Sequence, residues 1–110
     1  MKILKDFIFF DEKSKDNISK ELINIKGSTL HLTVYGTEMP ALKVEQLIDI
    51  RSNTWQENEI IISKAPLDVI DSISKFGAYD IPIDGARKIR IVNNKPSALG
   101  LFTVFGNTGE

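Results

Sequence analysis

The chain has 110 residues, of which 42% are hydrophobic and 26% charged, with a net charge of −1 and no cysteine. That length fits one domain over residues 1–110, and that composition is typical of a folded globular protein. The lack of cysteine excludes disulfides, thiolate metal sites and cysteine catalysis. The basic residues are spread along the chain, which disfavours a nucleic-acid-binding surface.

The first strand is predicted over residues 3–10, which are rich in aromatic and β-branched side chains. This run is far shorter than the roughly 20 apolar residues that cross a membrane. Lys5 and Asp6 interrupt it, so we interpret it as a strand and not as a signal peptide. We expect no membrane association, and we expect residues 1–16 to form an arm or an edge strand.

The next two segments differ in how clearly they are patterned. Residues 18–25 alternate imperfectly and fit either a short helix or a bulged strand. Residues 29–35 alternate cleanly, with Leu30, Leu32 and Val34 on one face, and predict a strand with one buried face.

The middle of the chain predicts two more strands and one ambiguous crossing. Residues 42–50 predict a strand with a bulge near Gln46, where the apolar parity changes. Residues 51–58 are interpreted as a polar loop that carries the only tryptophan, and residues 60–62 as a short strand. Residues 66–74 fit a short helix begun by a proline or, as we slightly prefer, a strand or irregular crossing.

The strongest local signal lies around Asp84-Gly85. Residues 79–83 and 88–92 both alternate apolar and polar side chains, and an Asp-Gly step between such segments is typical of a tight hairpin. Residues 99–105, apolar on both parities, predict a closing strand covered on both sides, and residues 106–110 a loose tail.

The sum of these segments predicts an all-β fold. Seven to eight short strands with turn signals between them favour a single antiparallel β-sandwich, jelly-roll-like or immunoglobulin-like. A short helix near residues 66–74 is the one helical alternative.

Catalytic and metal-binding patterns are missing from the sequence. His31 is the only histidine and sits on the polar parity of its strand, without a second histidine or a cysteine as a co-ligand. The carboxylates have no defining spacing and are better explained as turn residues. They are Asp11, Glu12, Asp16, Asp80 and Asp84. We therefore expect no enzyme, no catalytic residue, no metal and no cofactor.

Aromatic side chains are the remaining candidates for ligand contact. Trp55 in its polar loop and Tyr35 on the polar parity of its strand could stack on a sugar ring. Trp55 could instead anchor its loop over the edge of the sandwich, which is the interpretation we prefer. Phe76 and Tyr79 could extend that platform, although Tyr79 shares its parity with core positions. A basic face at Arg87, Lys88 and Arg90 is explained as the solvated side of a strand.

Residues 28–106 resemble a small β-sandwich module of bacteriophage virion proteins, found in tails, baseplates and head decorations. The resemblance lies in the order and spacing of five elements, and the stretch 38–40 departs from it because the pattern usually has a small-residue turn there. The five elements are Ser28 to Gly36, Asn53-Thr54-Trp55, Gly77 to Ile81, Gly85 to Ile91 and Leu101 to Gly106.

The resemblance implies a virion structural or accessory protein that acts by self-assembly or by attachment to other virion proteins. It carries no catalytic residues. The expected interface residues are Phe9, Phe102 and Phe105, and the expected location is the virion, after synthesis in the host cytoplasm. A carbohydrate-binding module for a cell-surface glycan, centred on Trp55, is the alternative. A small enzyme or an inhibitor of a host factor is a third hypothesis that no residue pattern favours.

Overall fold

In a computed structural model, the chain forms two antiparallel β-sheets that enclose one hydrophobic core. The structure describes residues 6–23, 25, 27–49, 51–57, 60–62, 68–83 and 88–109. Within these ranges there are nine strands and one 3-10 turn, Pro96–Ala98. The strands are β1 (Phe7–Phe10), β2 (Thr29–Gly36), β3 (Leu42–Asp49), β4 (Thr54–Glu57), β5 (Ile60–Ile62), β6 (Asp68–Ile70), β7 (Gly77–Pro82), β8 (Ile89–Asn93) and β9 (Phe102–Gly109).

The larger sheet has the strand order β1-β9-β2-β7-β5-β6, and the smaller has the order β4-β3-β8. All pairings between these strands are antiparallel. The predicted all-β sandwich is therefore confirmed. No helix in the described ranges has the length and apolar character needed to cross a bilayer.

The core lies between the sheets and is built from alternate residues of their facing strands. As predicted, Leu30, Leu32 and Val34 of β2 are buried, while His31 and Tyr35 between and beyond them are exposed. The other buried core residues are Phe9, Phe10, Leu42, Val44, Ile73, Tyr79, Ile81, Ile83, Ile89, Ile91, Ala98, Phe102 and Val104.

The predicted hairpin around Asp84-Gly85 is wrong. β7 pairs with β2 and β5 in the larger sheet, whereas β8 pairs with β3 in the smaller one. Both strands turn their apolar faces to the same core, but from opposite sides. Alternation identifies the buried face of a strand and not its partner, so the same pattern suits a crossing between sheets. Residues 84–87 themselves lie outside the described residues.

The predicted polar loop at 51–58 is also wrong in part. Residues Thr54–Glu57 form β4, which pairs with β3 at the edge of the smaller sheet. The register of β3 against β4 shifts between Leu47 and Asp49, just beyond the bulge predicted near Gln46. The loop interpretation failed because three of the four β4 residues are polar, as an exposed edge strand allows.

Two further segments are extended, although the sequence also allowed a helix in the first and predicted a loose tail for the second. Asp68–Ile70 is β6, and Ile73 then forms an isolated bridge with Leu42, so residues 68–74 contain no helix. Residues 66 and 67 lie outside the described part. Residues 106–109, predicted to be loose, continue β9, because the pairing with β2 runs on to Thr29 opposite Gly109.

The N-terminal region connects the edges of the two sheets. Within the described residues, β1 is an edge strand whose one strand partner is β9. The chain then turns, and residues 17–22 run along the free side of β8 through isolated bridges at Ile18 and Leu22. Backbone bonds between Ser19 and Ile91 and between Leu22 and Ile89 hold this segment in place. It is extended and irregular and not a short helix.

Candidate functional site

The outer face of the larger sheet carries three large hydrophobic side chains that stay at least partly exposed. Ile8 of β1 pairs directly with Phe105 of β9, so both project from the same side of the sheet. Tyr35 of β2 lies beside Phe105, with their rings 5.9 Å apart in an edge-to-face arrangement. Ile8 and Tyr35 are each 52% exposed, and Phe105 is half-buried. We call these three residues the outer apolar patch.

Polar pairs on the same sheet border this patch. His31 Nδ1 lies 2.7 Å from Asp80 Oδ1 across β2 and β7, and Asn107 Nδ2 donates to Asp6 Oδ1 at 2.8 Å. Each polar side chain therefore already has a partner within the chain. A partner docking on the patch would not need to neutralise an unpaired charge at this border.

Two of the three predicted interface residues are too deeply buried to contact a partner. Phe9 and Phe102 are 4% and 2% exposed, and both belong to the core. Phe102 packs against Phe10, with ring centroids 5.2 Å apart. That placement corrects the expectation for Phe9 and Phe102, because inward positions of β1 and β9 fill the space between the sheets. Phe105, at an outward position of β9, keeps its side chain on the surface.

Trp55 belongs to a second cluster, on the outer face of the smaller sheet. Its ring carries the Arg90 guanidinium 4.0 Å from the centroid, and its Nε1–H donates to Asn53 Oδ1 at 3.1 Å. Leu47, directly opposite on β3, is buried although it lies outside the main core. Arg90 also donates from Nε to Glu45 Oε1 at 2.8 Å. The tryptophan thus stacks on a side chain of its own fold.

The structure does not assemble the predicted aromatic platform. Trp55 and Tyr35 lie on the outer faces of different sheets. Tyr79 is 5% exposed in the core, where its hydroxyl donates to the Lys75 carbonyl at 2.6 Å. Burial raises the pKa of the Tyr79 phenol above its ordinary value of 10.0. Its phenol is thus held inside the fold by a backbone acceptor.

Removing the guanidinium should uncover the tryptophan. We expect Arg90→Ala to shift the emission of Trp55, the only tryptophan, to longer wavelength, because water replaces the stacked cation. The free energy of unfolding should fall by about 1–2 kcal/mol. Arg90→Lys keeps the charge but not the planar stacking group, and it should give an intermediate spectrum. Emission and denaturant unfolding measure both; unchanged emission in Arg90→Ala would contradict the stacking.

The carboxylates of the 11–17 turn act locally, as the sequence suggested. Asp11 Oδ1 accepts from the Lys13 backbone N–H at 2.9 Å, and Asp16 Oδ1 accepts from that of Ile18 at 3.1 Å. Across the described ranges, no three histidine or acidic side chains gather to hold a metal ion. These groups are thus explained as turn-forming residues.

A cleft of about 590 Å³ opens between β1 and the segment that follows it. Apolar side chains of both segments, including Ile8, Phe9, Phe10 and Ile18, line it together with the lysines Lys13, Lys15 and Lys20. The sequence analysis missed this cleft, because it arises only when β1 and residues 17–20 settle on different sheets. The one sequence feature that indicates the cleft is the group of three lysines that follows β1, Lys13, Lys15 and Lys20.

The chain was compared with protein-family models, with curated proteins and with solved structures, and none of the three comparisons found a match. The chemistry of its own surfaces is therefore the basis on which a function can be assigned.

Proposed function

We propose that this chain is a non-catalytic association module, a virion structural or accessory protein that self-assembles through the outer face of its larger sheet. The observation that carries the proposal is the outer apolar patch. Ile8, Tyr35 and Phe105 come from three adjacent strands and all stay at least partly exposed. Contiguous exposed apolar side chains of this kind mark association surfaces.

A second copy of the chain is the occupant that suits this face. A two-fold contact places the same patch on both sides, so the hydrophobic side chains of one copy meet those of the other. Tyrosine and phenylalanine are enriched at the centres of such interfaces, with polar residues at the rim. The His31–Asp80 and Asn107–Asp6 pairs are already satisfied, and the net charge of −1 gives two copies little reason to repel.

The test is the mass of a double variant, Tyr35→Ser together with Phe105→Ser. Both residues face outward, so the variant should fold, and it should remain a monomer at concentrations where the unaltered chain associates. Sedimentation equilibrium measures the difference. We expect a shift of the association constant of at least about tenfold, since two large apolar contacts are lost from each copy.

Ile23→Ser is the matched control. Ile23 is also 52% exposed but lies on the segment along β8 and not on the outer face of the larger sheet. It should associate like the unaltered chain. Equal masses for the double variant and the unaltered chain would overturn the proposed interface, and so would a loss of association in Ile23→Ser alone.

Glycan recognition at Trp55 remains the alternative function, and it makes a different prediction. It requires Trp55→Ala to abolish binding to cell-surface glycan while the fold and the oligomer persist. The present contacts favour the structural role, because Arg90 and Asn53 already engage the ring face and the indole N–H.

A further inference from the structure

The cleft beside β1 joins an apolar floor to a rim of cations. Its lining combines buried phenylalanines of β1 with the exposed Ile18. Its volume of about 590 Å³ lies within the range of known ligand sites. A ligand for it should therefore have both apolar and anionic parts.

The three lysines of the cleft have no carboxylate partner in the described part of the chain, unlike four other basic residues of this fold. Lys13, Lys15 and Lys20 are all exposed, and no described carboxylate lies within ion-pair distance of their ammonium groups. The basic residues with partners form the pairs Lys43–Glu57, Lys88–Glu21, Arg90–Glu45 and Lys95–Glu38. The cleft thus concentrates cations that the fold leaves uncompensated.

The two carboxylates in the lining do not cancel this charge. Asp11 and Asp16 are each held by a backbone N–H of their own turn, and Asp11 also accepts from Ser14 Oγ at 3.4 Å. Three ammonium groups face two carboxylates, so the charge of the lining is positive within a chain whose net charge is negative.

The backbone of β1 adds a third feature, an open strand edge. β1 is the end strand of its sheet, and its one strand partner among the described residues is β9. On the free side of an edge strand, alternate N–H and C=O groups are unpaired and can bond to an added strand. A small anion would leave these backbone groups unused, whereas a peptide would use them.

We propose that the cleft binds an extended acidic segment of another protein, which adds to β1 as a further strand. Alternate side chains of such a segment point to opposite faces. One set would face the inner side of the sheet, beside Phe9, and the other would carry carboxylates to the lysines at the rim. The chain would then associate in two ways, with its own copies through the sheet face and with an acidic partner through this edge.

This inference extends the proposed function, and its test is separate from the test of self-assembly. Ile8 belongs to both surfaces, but Tyr35 and Phe105 do not line the cleft. The Tyr35→Ser and Phe105→Ser double variant should therefore still bind an acidic peptide. If the chain proves monomeric under all conditions, the cleft can be tested unchanged.

The probe is a blocked heptapeptide of alternating glutamate and valine, compared with a glutamine–valine peptide of the same length. Binding is measured by amide chemical shifts and hydrogen exchange. We expect the acidic peptide to shift residues 7–20 and to slow exchange of those β1 amides that do not bond to β9. In the charge-reversed variant Lys13→Glu, Lys15→Glu and Lys20→Glu, affinity should fall about tenfold or more, as expected for three exposed ion pairs.

Lys75→Glu is the matched control, because Lys75 is exposed, has no ion-pair partner in the described part of the chain and does not line the cleft. It should bind the acidic peptide like the unaltered chain. The proposal is overturned if the glutamine peptide binds as well as the glutamate peptide, or if Lys75→Glu weakens binding as much as the triple reversal. Decanoate is the third arm: perturbation of the cleft by decanoate, with no response to the peptide, would assign the site to a small amphiphilic anion instead.

Discussion

Replacing Phe102 by alanine should lower the free energy of unfolding by about 3–5 kcal/mol, because it opens a cavity where the two sheets meet. The ring is 2% exposed and packs against Phe10 from the edge strand. Since the free energy of unfolding of such a domain is about 5–15 kcal/mol in total, the alanine variant should lose a large part of its stability. Phe102→Leu, expected to cost less than about 1.5 kcal/mol, keeps the measurement within range.

Phe105→Ala is the matched control for Phe102→Ala. Phe105 lies three residues further along β9 but faces outward. Measured by urea unfolding at a protein concentration too low for self-association, its cost should stay well below that of Phe102→Ala. Equal costs at the two positions would contradict the assignment of Phe102 to the core and Phe105 to the surface.

Replacing Asn93 by alanine should lower the free energy of unfolding by about 2–4 kcal/mol, because several partly buried polar groups lose their hydrogen-bond partner at once. Asn93 is 2% exposed. Its Nδ2 donates to Asn17 Oδ1 at 2.9 Å and to the Lys95 carbonyl at 3.0 Å, and its Oδ1 accepts from the Lys95 N–H at 2.9 Å. The side chain therefore ties the N-terminal segment and the turn after β8 to the sheet.

Asn94→Ala is the neighbouring control. Asn94 is exposed, and its contact with the rest of the fold is a backbone bond to the Ala41 carbonyl. Its replacement should change stability by no more than about 0.5 kcal/mol. Thermal and urea unfolding of both variants would settle the matter. An Asn93→Ala variant as stable as Asn94→Ala would show that the buried network contributes little.

The class of fold could be predicted because side-chain alternation reports burial directly. In β2 the period-two pattern separated Leu30, Leu32 and Val34 from His31 and Tyr35, and the structure buries the first set and exposes the second. The same rule placed Tyr79 in the core. These predictions needed no knowledge of which strand lies next to which.

Strand pairing could not be predicted in the same way. The segments on either side of Asp84-Gly85 have ideal hairpin alternation, yet β7 and β8 belong to different sheets. Pairing depends on which neighbour completes each sheet, and that is decided by contacts distant in sequence, such as β2 with β7 and β3 with β8. Asn93 was missed for a related reason, since an asparagine after a strand looks like an ordinary turn residue.

The candidate sites were predicted only in part. The sequence analysis named Phe105 as an interface residue and Tyr35 as a ligand contact, without relating the two. Their edge-to-face contact arises because β9 pairs with β2. The cleft depends on β1 and residues 17–20 joining opposite sheets. The stacking of Arg90 on Trp55 could not be predicted, because the two residues lie 35 positions apart, on strands two places apart in the smaller sheet.

The measurement that tests the central claim most directly is sedimentation velocity of the unaltered chain from low to high micromolar concentration, at low and at molar sodium chloride. Association through the outer apolar patch predicts a mass that rises from 12.3 kDa to a multiple of it and persists in high salt, because apolar contacts are not screened. A mass that stays at 12.3 kDa at every concentration, or an oligomer that dissolves in salt, would contradict the account.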